Sequence, residues 1–217
     1  MTEMIQCVSP VDGQIYAQRP ALTHEAALSA VARAKAAHKD WAARPLADRI
    51  AVVMAGIDAL AAMNDTIVQE LAWQMGRPTR YGGEIGGVRE RAGHMAAIAE
   101  AALAPDVIED STAFRRVLAR EPIGVGLVIA PWNYPYLTAI NTIVPALIAG
   151  NAVVLKHARQ TLLAGERLAE ALHAGGVPED VFQNVVLDHA TTAALISGRS
   201  FGFVNFTGSV AGGAEIE

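Results

Sequence analysis

The chain has 217 residues, 52% apolar and 18% charged, with a formal net charge of −5. That length suits one large domain or two small ones and lets the chain bury roughly 70% of the surface it exposes unfolded. The composition excludes a disordered chain, and the acidic balance without a basic stripe excludes nucleic acid as an expected partner. The single cysteine, Cys7, excludes an internal disulfide framework and suits a reducing cytoplasm. No run approaches the ~20 apolar residues of a membrane span, and Glu3 with no apolar segment after it predicts no secretory leader.

Residues 1–22 read as irregular chain with short extended pieces. Ser9-Pro10-Val11-Asp12-Gly13 is a turn signal, and 14–16 suits an edge strand. Thr23 is a good N-cap, with Glu25 in the first turn, for an alanine-rich helix reaching about Trp41. Leu46, Ile50, Val53, Met54, Ile57, Leu60 and Ala61 recur at three-and-four spacing, the strongest amphipathic pattern in the chain. A further helix follows Asn64-Asp65, with Ile67, Val68, Leu71, Ala72 and Met75 on one face, and stops at Gly76 before Pro78. A helix over about 83–102 is weakened at its start by glycines, and its Glu84, Glu90 and Glu100 read as a solvated face rather than an acid–base pair. The helices of 46–102 read as a packed antiparallel layer. Residues 105–111 read as a polar loop, and the alternation in 114–121 suits an exposed strand.

The second half alternates buried strands with helices. Residues 125–130 form an apolar run ended by Pro131, so Trp132 and Asn133 sit just past a strand's carboxyl end, where open parallel sheets place their ligands. A helix with Ile140, Ile143, Val144, Leu147 and Ile148 on one face stops at Gly150. A second strand over 152–155 follows, with Lys156 at its carboxyl end. A helix over 161–174, a strand over 182–187, a short helix over 191–197 and a strand over 201–206 come next. Thr207-Gly208-Ser209 then turns into a last helix. The fold class is α/β, a parallel sheet with helices on both faces. Residues 1–104 form a helical segment before an α/β core over 113–217.

Three positions invite chemistry. The Asn133 side-chain amide could stabilise an oxyanion or simply cap the following helix. Lys156 could meet ribose hydroxyls or a phosphate, or merely close a buried strand. Residues 207–209 open a helix where free N–H groups favour phosphate. No Gly-x-Gly-x-x-Gly opens a helix, because Gly124 and Gly126 precede a strand. Cys7 lacks the flanking charge that would make a nucleophile, and the dispersed histidines predict no metal site.

Pro131-Trp132-Asn133-Tyr134-Pro135, then Val144-Pro145-Ala146-Leu147-Ile148-Ala149-Gly150-Asn151-Ala152-Val153-Val154-Leu155-Lys156, then Asn205-Phe206-Thr207-Gly208-Ser209 resemble, in that order, the aldehyde dehydrogenase superfamily. The resemblance runs through essentially the whole chain and covers about the first half of the family's usual length. It implies a Rossmann-like cofactor domain, NAD or NADP as cofactor, a small-molecule aldehyde oxidised to an acid, and a homo-oligomer for the full-length enzyme. In the family a hairpin arm near 114–121 pairs subunits. By the same resemblance Asn133 is the oxyanion asparagine, Lys156 holds the adenosine ribose and Ser209 meets the pyrophosphate. Ile129, Pro131, Trp132, Ala158, Arg159, Thr207 and Gly208 complete the cofactor contacts. The family's nucleophilic cysteine and base glutamate lie beyond residue 217, so these residues alone are expected to turn over no aldehyde. The alternative is a non-catalytic nucleotide-binding or interaction protein derived from the family.

Family members often follow the lysine with Pro and carry Glu three residues after it, which favours NAD; here His157 and Arg159 stand there, a lean towards NADP. Thr142 occupies the place of a lysine often proposed as a proton relay, so that role is not carried over. Residues 71–78 and the Lys156-His157 pair resemble bacterial members near succinate-semialdehyde dehydrogenases.

Overall fold

The computed structural model describes residues 3–217. Its centre is a four-stranded, wholly parallel sheet of β5 (Val125–Ile129), β6 (Ala152–Lys156), β7 (Phe182–Asn184) and β8 (Phe203–Phe206), in the spatial order β7-β6-β5-β8. Every residue of β5 is buried, as a strand covered on both faces requires. Gly126 has no side chain because the Phe203 ring of the neighbouring strand occupies that space; a Cβ there would lie 2.2 Å from the ring. The chain runs outward from β5 to β6 to β7, then returns to place β8 on the other side of β5. The strand order therefore reverses between β5 and β8.

Helices cover both faces. Helix α1 (His24–Ala42) lies against β5, β6 and β7, and α7 (His189–Ser197) packs beside it. Helices α5 (Pro135–Ile148) and α6 (Leu162–Ala174) cover the opposite face. Outside them lies a second helical layer of α2 (Leu46–Ala62), α3 (Asn64–Met75) and α4 (Ile85–Leu103). Its centre is α2, which packs on α6, α4 and α5, while α3 leans on α6. The caps follow the sequence. Thr23 accepts the Ala26 N–H at 3.2 Å, and Gly76 ends α3 in the left-handed region at φ 73°.

Four expectations are corrected. Residues 1–22 are ordered over the described part: β1 (Met4–Val8) and β2 (Ile15–Pro20) form an antiparallel hairpin. Its Cys7 and Ala17 pack on Leu162, which supplies the apolar cover that makes it regular. The loop expected at 105–111 contains β3 (Asp106–Asp110), which pairs antiparallel with β4 (Arg115–Leu118). Its polar residues are matched across the hairpin by Asp110–Arg115 and Glu109–Arg116, with Arg120 reaching back to Asp106. The strand expected over 182–187 is confined to Phe182–Asn184; the Val185 N–H still donates to Leu155 O, and beyond it the carbonyl of Val186 is taken by the Leu22 N–H. The Glu84 side chain is covered, not solvated, and its carboxylate reaches the start of α5. The last helix is α8 (Val210–Ile216). Among the described residues no helix is long and apolar enough to cross a membrane.

Candidate functional site

The parallel register puts three strand ends in one row. Ile129 stands opposite Lys156 on one side and Phe206 on the other. The Ala130 N–H donates to Lys156 O at 3.2 Å, and the Thr207 N–H donates to Ile129 O at 3.1 Å. The segments leaving β5, β6 and β8 are thus bonded together at the sheet's carboxyl edge. Such a place, where strand order reverses, is where open α/β sheets bind ligands. A cleft of about 710 Å³ opens there.

Every residue singled out from the sequence lines this cleft: Ile129, Pro131, Trp132, Asn133, Lys156, Ala158, Arg159, Thr207, Gly208 and Ser209. Trp132 is 52% exposed and Asn133 is also exposed, so both face the open side. Asn133 Oδ1 accepts the Tyr134 N–H at 3.0 Å, which leaves Nδ2 without a protein acceptor among the described residues. That nitrogen is a free donor at the mouth of the cleft.

Lys156 is partly buried at the end of β6. Burial lowers its pKa, and the Asp188 carboxylate opposes that shift. Asp188 lines the same cleft and caps α7 by accepting the Thr191 N–H at 2.6 Å; that bond holds its pKa below the usual carboxylate range. Arg159 is exposed. Ser209 caps α8, its oxygen accepting the Gly212 N–H at 3.1 Å, so its hydroxyl proton is free to be donated. Gly208 passes so close to Phe206 that a Cβ would lie 2.4 Å from the tip of the ring, so a side chain there would have to displace it.

His157 lies in the cleft wall and is buried. Its Nε2 lies 3.1 Å from Pro135 O and its Nδ1 lies 3.2 Å from Thr161 Oγ1. A carbonyl can only accept, so Nε2 carries the proton and Nδ1 accepts from the threonine hydroxyl. Burial pushes the pKa down to about 4, so the ring is neutral near pH 7.

Sequence reasoning missed Asp188, Arg77 and Glu84. Asp188 followed by Thr191 was a legible capping signal, but its distance from Lys156 was not. Arg77 and Glu84 left no local signal of this role, since the Asn133 and α5 backbone groups they hold lie more than fifty residues away. Among the described residues no three His, Cys, Asp or Glu side chains are grouped to hold a metal ion.

Fold and site together define an open parallel α/β protein with its ligand cleft at the topological switch point. The chain belongs to the aldehyde dehydrogenase family, whose profile matches residues 1–217. It is 34% identical over 212 residues to 3,6-anhydro-alpha-L-galactose dehydrogenase of Streptomyces coelicolor, covering 96% of this chain and 43% of that protein. It is 27% identical to the NADP(+) succinate-semialdehyde dehydrogenase of Deinococcus radiodurans, covering 96% of this chain and 44% of that protein. The crystal structure of NADP-dependent glyceraldehyde-3-phosphate dehydrogenase from Bacillus halodurans C-125, complexed with NADP, superposes with a TM-score of 0.91 at 30% identity. That match covers 99% of this chain and 46% of the other. The chain therefore spans less than half the length of these relatives.

Proposed function

We propose that these residues form the cofactor cleft and oxyanion donor of an enzyme that oxidises an aldehyde to a carboxylic acid with NAD or NADP. The observation that carries this reading is the alignment of Ile129, Lys156 and Phe206 at one edge, with Asn133 and residues 207–209 opening into one cleft. The donor set suits a dinucleotide. Lys156 and Arg159 supply positive charge, and Thr207 and Ser209 supply hydroxyls beside Gly208, where the backbone is bare. Lys156 would hold the ribose, residues 207–209 the pyrophosphate, and Ile129, Pro131, Trp132 and Ala158 the remaining wall. When bound, the cofactor accepts the hydride that leaves the substrate carbon. Arg159 suits a 2′-phosphate and favours NADP, the cofactor named for two of the relatives.

Asn133 Nδ2–H donates to the oxygen on which charge develops when a thiolate adds to the aldehyde carbonyl. Its amide is held by the neighbouring backbone, so little reorganisation is needed as the charge forms. That thiolate is not Cys7. Its thiol is wholly buried and donates to Gln160 O at 3.1 Å, and burial raises its pKa. The second reading is a nucleotide-binding protein of this family that turns over nothing. The exposed β3–β4 hairpin, with Ile108 62% and Leu118 61% exposed, is the surface we assign to pairing with a second copy. A free, unpaired thiol fits the cytoplasm as the compartment.

Calorimetric titration with NADP and NAD, beside an assay of NADPH formation with aldehydes, separates the readings. Binding with turnover that survives Cys7→Ser supports the enzyme and a nucleophile other than Cys7. Binding without turnover supports the second reading, and no binding of either cofactor contradicts both.

A further inference from the structure

We infer that Arg77 and Glu84 are positioning residues, a clamp across the outer helical layer that fixes the loop carrying Asn133. This inference rests on the reading of Asn133 as an oxyanion donor. The start of α5 cannot cap itself. Pro135 at its first position has no N–H, and Tyr134 before it makes no side-chain cap. The free N–H groups of Tyr136 and Leu137 are taken instead by Glu84 Oε2, at 3.2 and 2.8 Å. A carboxylate at this end also suits the helix dipole.

The other Glu84 oxygen pairs with Arg77, and the second guanidinium nitrogen of Arg77 donates to Asn133 O at 2.7 Å. The guanidinium also lies 5.2 Å from the centre of the Tyr134 ring. Asn133, Tyr134, Tyr136 and Leu137 are therefore all held by two side chains from one distant stretch. The pair is well covered, at 12% and 4% side-chain exposure, so water competes little with it.

Backbone geometry supports the assignment independently. Glu84 has φ 69°, in the left-handed region that a residue with a Cβ rarely adopts. Such strain persists only where surrounding contacts over-determine it, and here the Glu84 carboxylate is held on one oxygen by Arg77 and on the other by the start of α5. A glycine would relieve the strain but could not make the contacts.

The test has two arms. In hydrogen–deuterium exchange on the chain, Arg77→Lys and Glu84→Gln should speed exchange at Tyr136 and Leu137 about tenfold or more, with β6 amides unchanged. Arg77→Ala should do so further, and melting curves identify any variant that has simply unfolded. Unchanged exchange at 136 and 137 in both conservative variants overturns the clamp, whatever reaction is catalysed. In the protein as its source produces it, Arg77→Ala should lower kcat about a hundredfold with the cofactor KM within twofold, and Arg77→Lys should recover part of the loss. Faster exchange with unchanged kcat overturns the positioning role and leaves the proposed reaction standing. An unchanged kcat in Asn133→Ala overturns the oxyanion reading instead, and the positioning claim with it.

Discussion

Asn133 Oδ1 accepts the backbone N–H of Tyr134 at 3.0 Å, on a residue that lines the cleft. The oxygen is occupied, so the nitrogen is the group on offer. Asn133→Ala is expected to lower kcat by about 10²–10³ while cofactor affinity stays within twofold. Asn133→Asp keeps the bond to Tyr134 but replaces the donor with a negative charge, and should be at least as damaging. Steady-state kinetics with separate cofactor titrations check both.

On the proposed reading, Lys156 and Arg159 divide the cofactor between them. Lys156→Met should weaken NAD and NADP alike, by about tenfold, since a charged hydrogen bond contributes about 1.5–3 kcal/mol. Arg159→Glu should weaken NADP by a similar factor and leave NAD unchanged or tighter, because only NADP carries the 2′-phosphate. Calorimetry with both cofactors on both variants measures this. Equal losses for the two cofactors in Arg159→Glu would remove Arg159 from cofactor selection.

His157 makes stability depend on pH in a defined window. Its pKa is pushed down by burial to about 4 in the folded chain, from the ordinary 6.5. Between those values the unfolded chain binds the extra proton, so stability is complete above pH 6.5 and falls as the pH drops towards 4. The loss is on the order of 3 kcal/mol once both states are protonated. Urea melts from pH 7.5 to 4 should show this slope, and His157→Gln should flatten it. An unchanged slope in that variant would move the effect to other groups.

Gly175, just past α6, touches the backbone of Gly56 in the middle of α2. A Cβ at 175 would lie 2.2 Å from Gly56 N, so neither helix could keep its place. Gly175→Ala should cost about 1–3 kcal/mol, read as a lower urea midpoint at constant slope. Gly86→Ala is the control, since a Cβ there meets nothing within 4 Å.

The parallel core was legible because its strands are buried on both faces and stand out as short apolar runs between Gly and Pro. The cleft residues were legible because the motifs that contain them lie at strand ends. The β3–β4 hairpin was only half legible. Its first strand is exposed on both sides, with acidic residues flanking Val107 and Ile108, and has ion pairs across the ladder, which no apolar alternation reveals. Glu84 was misread for a related reason. Helical periodicity assigns a glutamate to solvent, whereas this one precedes the helix and answers to N–H groups on α5. Arg49 is a further case. It lies on the buried side of α2, where its guanidinium takes Ile148 O at 2.8 Å and Ala42 O at 3.1 Å, carbonyls that sequence spacing cannot predict.

The central claim is that the carboxyl edge of the sheet is a dinucleotide site organised by Lys156. Calorimetric titration of the protein with NADP, repeated on Lys156→Met, tests it most directly. The account predicts saturable binding at one site per chain, weakened about tenfold in the variant. No heat at millimolar NADP or NAD, or equal affinity in the variant, would contradict it.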